Sequence, residues 1–122
     1  MLKSIISLIL FTFIFSVDYT TEIQPIFNNN CGGCHTTNSS GGLNLLSYDN
    51  LMSNDVVVPG DHAASILYDR IIRENSEAGD MPPGNNELDD SEIQLIVEWI
   101  DEGALEFEPS CEEGFTLIES VP

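Results

Sequence analysis

The sequence predicts an all-α fold, a small domain of short helices joined by long loops. At 122 residues the chain has the length of one domain. Three stretches space their apolar residues with a helical period, and no stretch alternates apolar and polar residues as a strand does. Pro- and Gly-rich segments separate the helices. Short helices bury little apolar surface, and long loops add to the entropy that folding must overcome. We therefore expect an additional stabilising element such as a disulfide, a metal or a bound cofactor.

Residues 1–16 are typical of a secretory signal peptide. Lys3 supplies the positive charge, IISLILFTFIF forms the apolar run, and Ser16 is a small residue at a plausible cleavage point. We therefore expect a mature chain that begins near Val17 and is periplasmic or extracellular. The alternative is an uncleaved membrane anchor, although the apolar run is shorter than the roughly 20 residues that span a bilayer.

The first predicted helix covers residues 18–30, DYTTEIQPIFNNN. Asp18 and the two threonines that follow it are candidate N-caps, and Pro25 must lie in the first turn or kink the helix. The apolar face consists of Ile23, Ile26 and Phe27. This helix leads directly to Cys31.

The next segments are mainly irregular. Residues 36–42, TTNSSGG, form a polar loop, and residues 43–53, LNLLSYDNLMS, form an apolar turn or short helix. Residues 55–60, DVVVPG, are extended or a turn, because Pro59 disfavours helical angles at Val58.

A middle helix is predicted over residues 62–74, HAASILYDRIIRE, with Asp61 as its N-cap. It ends in NSEAGDMPPGNNE, a segment too rich in Pro and Gly for regular structure.

The last predicted helix has the clearest end signals. Asp89 is the N-cap, Glu92 completes a capping box, and Leu88 is placed to pack on Ile93 as a hydrophobic staple. Gly103 ends the helix. Its apolar face consists of Ile93, Ile96, Val97 and Ile100.

Negative charge is the main signal in the composition. Three basic and 21 acidic residues give a formal net charge of −18. Loss of Lys3 with the signal peptide would leave Arg70 and Arg73 as the basic residues. This charge argues against nucleic acid and anionic lipid as partners and favours partner proteins with basic docking patches, while solubility or adaptation to salt explains it equally well.

The candidate functional motif is C-x-x-C-H, formed by Cys31, Cys34 and His35. Such a motif attaches a haem covalently, forms a thioredoxin-like dithiol, or contributes to a zinc site. An exported chain without a βαβ pattern disfavours the dithiol. A zinc site would need Cys111 as its fourth ligand and would force the adjacent Cys34 and His35 onto one tetrahedral ion.

A six-coordinate haem iron needs a second axial ligand opposite His35, and the candidates are Met81, Met52 and His62. Two prolines follow Met81, and their fixed backbone angles would hold its side chain in place. A thioether opposite an imidazole raises the reduction potential. The alternative role for Met81 is to fill a hydrophobic gap. Met52 fits the core better, and His62 fits a solvated residue at the start of the middle helix.

The order of these features resembles the class I cytochrome c fold, and most closely the planctomycete-type cytochrome c domain. The motifs that carry the resemblance are C-x-x-C-H, GGLNL, VVPGDHAASILYDRI, DMPPG and LDDSEIQLIVEWIDEGA, over about residues 23–104. The chain departs from the pattern at His62, where such domains often have Pro, and in its C-terminal tail. We expect a cytochrome c domain over residues 17–105.

The resemblance implies a class I fold wrapped around one covalent haem c. It also implies that Cys31 and Cys34 form the thioether bonds and that His35 and Met81 are the axial iron ligands. The C-terminal helix would cross the N-terminal helix near Phe27.

The expected function is that of a monohaem carrier that moves single electrons by cycling between Fe(II) and Fe(III), and not that of an enzyme. The alternative is a haem domain that serves as the electron-entry module of a larger exported oxidoreductase. Peroxidase-like chemistry would require an open distal site and therefore an unbound Met81. A haem that only holds the fold together would lack a reversible one-electron wave.

Residues 106–122 are an acidic tail or the start of a further module. They contain the third cysteine of the chain, Cys111. An odd cysteine in an exported protein indicates an intermolecular disulfide, a free thiol or a partner in further sequence.

Overall fold

A computed structural model describes residues 16–107 of the chain. Most of the predicted signal peptide and most of the predicted tail, with Cys111, lie outside these residues. The described part contains a π-helical turn over Tyr19–Ile23, a 3₁₀ turn over Ser40–Gly42 and five α-helices. These helices are α1 (Gln24–Asn30), α2 (Gly32–His35), α3 (Tyr48–Met52), α4 (Ile66–Ile71) and α5 (Asp90–Asp101).

Residues 16–107 contain no β-strand, and the predicted all-α class is confirmed. None of the helices in this part of the chain has the length and apolar character needed to cross a bilayer.

The first helical segment begins where the sequence predicts it. The Asp18 side chain accepts a hydrogen bond from the backbone N–H of Thr21 at 2.7 Å, so Asp18 is the N-cap of the π-helical turn. The chain continues from this turn into α1, whose first turn contains Pro25. Proline is tolerated there because its missing N–H would have no partner within the helix. This continuous segment delivers the chain to Cys31.

Helix α5 has the ends that its sequence predicts. The Asp89 side chain accepts from the backbone N–H of Glu92 at 2.9 Å, and the Glu92 side chain accepts from the backbone N–H of Asp89 at 3.1 Å, which completes the capping box. Gly103, just past the helix, has a φ of +112°, a left-handed value that glycine adopts most easily. On the inner face Ile96 and Trp99 are fully buried.

The core forms where α5 packs on the N-terminal segment. The ring centroids of Tyr19 and Trp99 lie 5.3 Å apart. The side-chain amide of Asn30 donates a hydrogen bond to the carboxylate of Glu92 at 3.0 Å. Helix α5 therefore packs on the π-helical turn and also contacts the end of α1 at Asn30, while Phe27, in α1, lies in the same buried cluster. Burial of each large apolar side chain contributes roughly 1.5–3 kcal/mol, so this packing holds the two ends of the domain together.

The middle helix is shorter than predicted, and the prediction of Asp61 as its N-cap is wrong. Helix α4 begins at Ile66 after Ser65, and the Asp61 side chain instead accepts from the backbone N–H of Ala64 at 3.1 Å to close a turn. Ser65 is buried and tied to the preceding loop, because its Oγ accepts from the N–H of Val58 at 2.8 Å. These bonds hold residues 61–65 as turns rather than as helix.

Candidate haem site

The C-x-x-C-H motif is carried on the short helix α2. The backbone N–H of Cys31 donates to the carbonyl of Phe27 at 2.8 Å, so α2 continues almost directly from α1. The N–H of His35 donates to the carbonyl of Cys31 at 2.9 Å, a helical bond between residues four apart. Such residues lie on one face of a helix. The motif therefore presents Cys31 and His35 on the same side, while Cys34 is exposed.

The ring of His35 is held in one orientation. Its Nδ1 lies 3.2 Å from the carbonyl oxygen of Leu43, and the backbone carbonyl of His35 accepts from the N–H of Leu45 at 2.8 Å. A carbonyl oxygen can only accept, so Nδ1 carries a proton, and in the neutral ring the lone pair is on Nε2. Histidine ligands of metals are commonly fixed by a carbonyl in this way. Since His35 is also buried, it has the features of an axial ligand.

Met81 lies in the loop between α4 and α5. Its backbone N–H donates to the carbonyl of Arg70 at 3.1 Å, which ties the loop to α4, and the following Pro82 is buried. Met81 itself is half-buried. The loop thus holds the thioether at the surface of the core without enclosing it in the core.

Two cavities meet at the predicted ligands. One, of about 280 Å³, is lined by both cysteines of the motif and by the Pro82–Pro83 corner. The other, of about 250 Å³, has a mainly apolar wall formed by Leu43, Leu45, Val56, Leu67 and Ile71. Cys31, His35 and Met81 line both.

These cavities fit a covalently bound haem. Together they have the size of an ordinary cofactor site, about 300–1,000 Å³. An imidazole, a thioether and the thiol of Cys31 face the same space, beside an apolar wall that suits a macrocycle. A larger depression of about 540 Å³ contains none of the predicted ligands and is lined by Asp69, Ile72, Arg73, Glu77 and Ala78.

The thiol of Cys31 is unlike that of a redox-active dithiol. Burial raises its pKa to about 11, with further contributions from the negative charge of Glu92 and from Cys34. Reactive dithiols need a lowered pKa, because the thiolate is the nucleophile. The environment of Cys31 therefore argues against thioredoxin-like chemistry.

The two other candidate ligands lie elsewhere. Met52, at the end of α3, packs against the buried core. His62 lies at the C-terminal end of α5 instead of at the start of the middle helix, and its Nδ1 is 2.8 Å from the carboxylate of Asp101. Its ring also packs edge-on against Tyr68, with centroids 4.8 Å apart. Neither residue lines the two cavities.

The zinc alternative depends on a residue that the structure does not describe, Cys111. Within residues 16–107 no group of three or more His, Cys, Asp and Glu side chains is arranged to hold a metal ion.

Sequence reasoning missed three parts of the site. The carbonyl of Leu43 orients His35, and the carbonyl and guanidinium of Arg70 hold the loop of Met81. A backbone carbonyl has no sequence signal of its own. Gly79, just before the Asp-Met-Pro-Pro stretch, is the one residue whose type could have indicated a close contact there.

The helical fold and the haem-attachment motif together define the class of the domain as a c-type cytochrome. Residues 31–85 match the family model described as Planctomycete cytochrome C, and this segment is a domain of that family. The match covers 55 of the 122 residues, from the first cysteine of the motif to a point four residues past Met81, within the loop between α4 and α5. No curated protein and no solved structure matches the chain. A cytochrome c domain implies electron transfer, and Cys31, Cys34 and His35 imply covalently bound haem c.

Proposed function

We propose that this chain is a monohaem c-type cytochrome that carries single electrons, with His35 and Met81 as the axial ligands of the iron. The observation that carries the proposal is that these two residues line the same two cavities, together with Cys31. When bound, the haem supplies a one-electron Fe(II)/Fe(III) couple. Cys31 and Cys34 would hold it through thioether bonds.

The remaining chemistry belongs to the protein. His35 presents the lone pair of Nε2, because the carbonyl of Leu43 retains the proton on Nδ1. Met81 presents a thioether, which favours the reduced state relative to a second imidazole. The apolar wall around Leu45 and Leu67 offers no hydrogen-bond partner to water on that side of the site. Ligands that are held in place limit rearrangement during electron transfer, which suits a carrier.

A basic surface is the partner chemistry that the charge favours. Within residues 16–107 the two salt bridges join Arg73 to Asp69 and His62 to Asp101. The guanidinium of Arg70 is directed to the carbonyl of Gly79. Most of the acidic residues in the described part of the chain are therefore left without a cationic partner, and the surface they form would attract a positively charged redox partner.

Export is supported by one contact near the expected cleavage point. The backbone nitrogen of Val17 donates to a carboxylate oxygen of Glu102 at 2.9 Å, and Val17 is buried. Cleavage after Ser16 would turn this nitrogen into an ammonium group beside that carboxylate, so the processed N-terminus would have a charged partner. N-terminal sequencing of the secreted protein tests this: a mature chain that starts at Val17 is expected, and retention of residues 1–16 contradicts it.

The function is tested with protein produced together with a haem-attachment system. A carrier should show the reduced-minus-oxidised spectrum of a six-coordinate c-type haem and a reversible one-electron wave in a redox titration. A haem protein without a reversible wave would have a structural cofactor, and one that consumes peroxide catalytically would be an enzyme. Either result would contradict the proposal.

A further inference from the structure

One arginine holds the loop that carries Met81 at two points. The guanidinium of Arg70 donates through Nη1 to the carbonyl of Gly79 at 3.1 Å. The backbone carbonyl of the same residue accepts from the N–H of Met81 at 3.1 Å. These two bonds lie on either side of Asp80 and join the end of α4 to the loop.

The loop is fitted to this guanidinium at Gly79. The φ of Gly79 is +87°, and a Cβ built there would lie 1.6 Å from Nη1 of Arg70 and 2.9 Å from its Cζ. Any other residue would collide with the guanidinium, so the absence of a side chain is what lets the arginine lie against the loop. The same Cβ would lie 3.3 Å from Nη1 of Arg73, so the guanidinium of Arg70 is the closer of the two to Gly79.

The buried side chain of Asp80 destabilises the folded position of this loop. Asp80 is buried, and among the described residues its Oδ2 has no hydrogen-bond partner. Burying a carboxyl oxygen without a hydrogen-bond partner is costly. The bonds that Arg70 makes to the two neighbours of Asp80 offset that cost.

A second arginine contacts the same loop but not the site. Arg73 donates to the carbonyl of Ala78 and to the carboxylate of Asp69 at 2.7 Å, on an exposed part of the surface. Arg70, in contrast, lines the apolar cavity that His35 and Met81 share. The two arginines therefore offer a matched pair for comparison.

We propose that Arg70 is a positioning residue for the distal ligand, and that its bond to Gly79 keeps the sulfur of Met81 at the cavity. The proposal rests on the proposed function, since it concerns the ligation of iron by Met81. It goes beyond that function by assigning the stability of the ligand bond to a residue that does not touch the iron.

The experiment measures how often Met81 leaves the iron. Ferric protein is mixed with increasing imidazole, and the rate of ligand capture at saturation reports the dissociation of the methionine. Loss of a charge-assisted hydrogen bond should raise this rate about tenfold in Arg70→Gln. Arg73→Gln, the matched control, should change it less than about twofold, because exposed pairs contribute little. Arg70→Lys, which retains a charged donor, should restore part of the loss.

If the Arg70→Gln protein does not bind haem, a second variant still tests the proposal. Gly79→Ala leaves the arginine in the chain but displaces its guanidinium, and it should raise the rate in the same direction. The proposal is overturned if the rate is unchanged in either variant, or if Arg73→Gln raises it as much as Arg70→Gln. Urea unfolding of all variants separates the roles, because a merely structural role would lower the unfolding midpoint without changing the dissociation rate.

Failure of the proposed function would look different. In that case the unmodified protein itself would lack the near-infrared band of sulfur-to-iron ligation. If the band is present and Arg70→Gln changes the potential without changing the dissociation rate, Arg70 acts through its charge and the positioning role is wrong.

Discussion

Nδ1 of His35 lies 3.2 Å from the carbonyl oxygen of Leu43, eight residues further along the chain. The contact is made possible by the turn before it, in which Gly41 and Gly42 both have left-handed backbone angles. The loop after the motif, rather than the motif itself, therefore sets the orientation of the proximal imidazole.

Covalent attachment should depend on both cysteines of the motif. Acid–acetone extraction should leave the haem with the unmodified protein and remove it from the double variant Cys31→Ala/Cys34→Ala, in which no thioether can form. Met52→Leu, a change in the core away from the site, should retain its haem. A colourless unmodified protein that contains stoichiometric zinc would contradict this prediction.

Met81→Ala should abolish the near-infrared band of the oxidised protein and open the iron to small ligands. The potential should fall by an appreciable part of the roughly 0.8 V range that axial ligands command. Optical spectra and redox titration measure both effects. Met52→Leu and His62→Ala should leave them nearly unchanged, because neither residue lines the cavities. If Met81→Ala retains the parent spectrum while His62→Ala loses it, the ligand is His62.

Electron exchange with a basic partner should slow as salt is added. The attraction between the acidic surface and such a partner is screened over about 10 Å at 0.1 M ionic strength. Stopped-flow rates between low salt and about 0.5 M should fall steeply with a basic partner and change little with a neutral small-molecule oxidant. A rate with the basic partner that does not depend on salt would show that the charge has another purpose.

The contact between His62 and Asp101 should stabilise the fold above about pH 4. Hydrogen bonds from the side chain and backbone N–H of His62 lower the pKa of Asp101 in the folded chain. A carboxyl group with a lowered pKa contributes stability above its unfolded value, and this contribution is lost as the pH falls through the folded value.

The measurement is the urea midpoint between pH 6 and pH 2. The midpoint of the unmodified protein should exceed that of His62→Ala at pH 6, and the difference should shrink as Asp101 is protonated. The pKa of Asp89 is also lowered, by hydrogen bonds from Ser91 and from the N–H of Glu92. His62→Ala does not touch these bonds, so the contribution of Asp89 is the same in both proteins and cancels in the difference between their midpoints. A difference that stays constant down to pH 2 would contradict the prediction.

Several elements could be read from the sequence because their causes are local. The capping box of α5 involves Asp89 and Glu92, three residues apart, and needs no other part of the chain. The haem-attachment motif spans five residues. The placement of Pro25 in the first turn of α1 follows from its missing N–H. The all-α class follows from periodicity in the same way.

Other features were decided by contacts between distant residues. Helix α4 begins at Ile66 because the loop before it binds Ser65. His62 lies on Asp101, 39 residues away, and α5 packs on the π-helical turn and bonds to Asn30 at the end of α1. The fit of Gly79 to the guanidinium of Arg70 exists only once the loop folds back on α4. Hydrogen bonds between residues three or four positions apart depend only on their spacing in the sequence. The contacts between distant residues depend on how the packed helices place the loops in space.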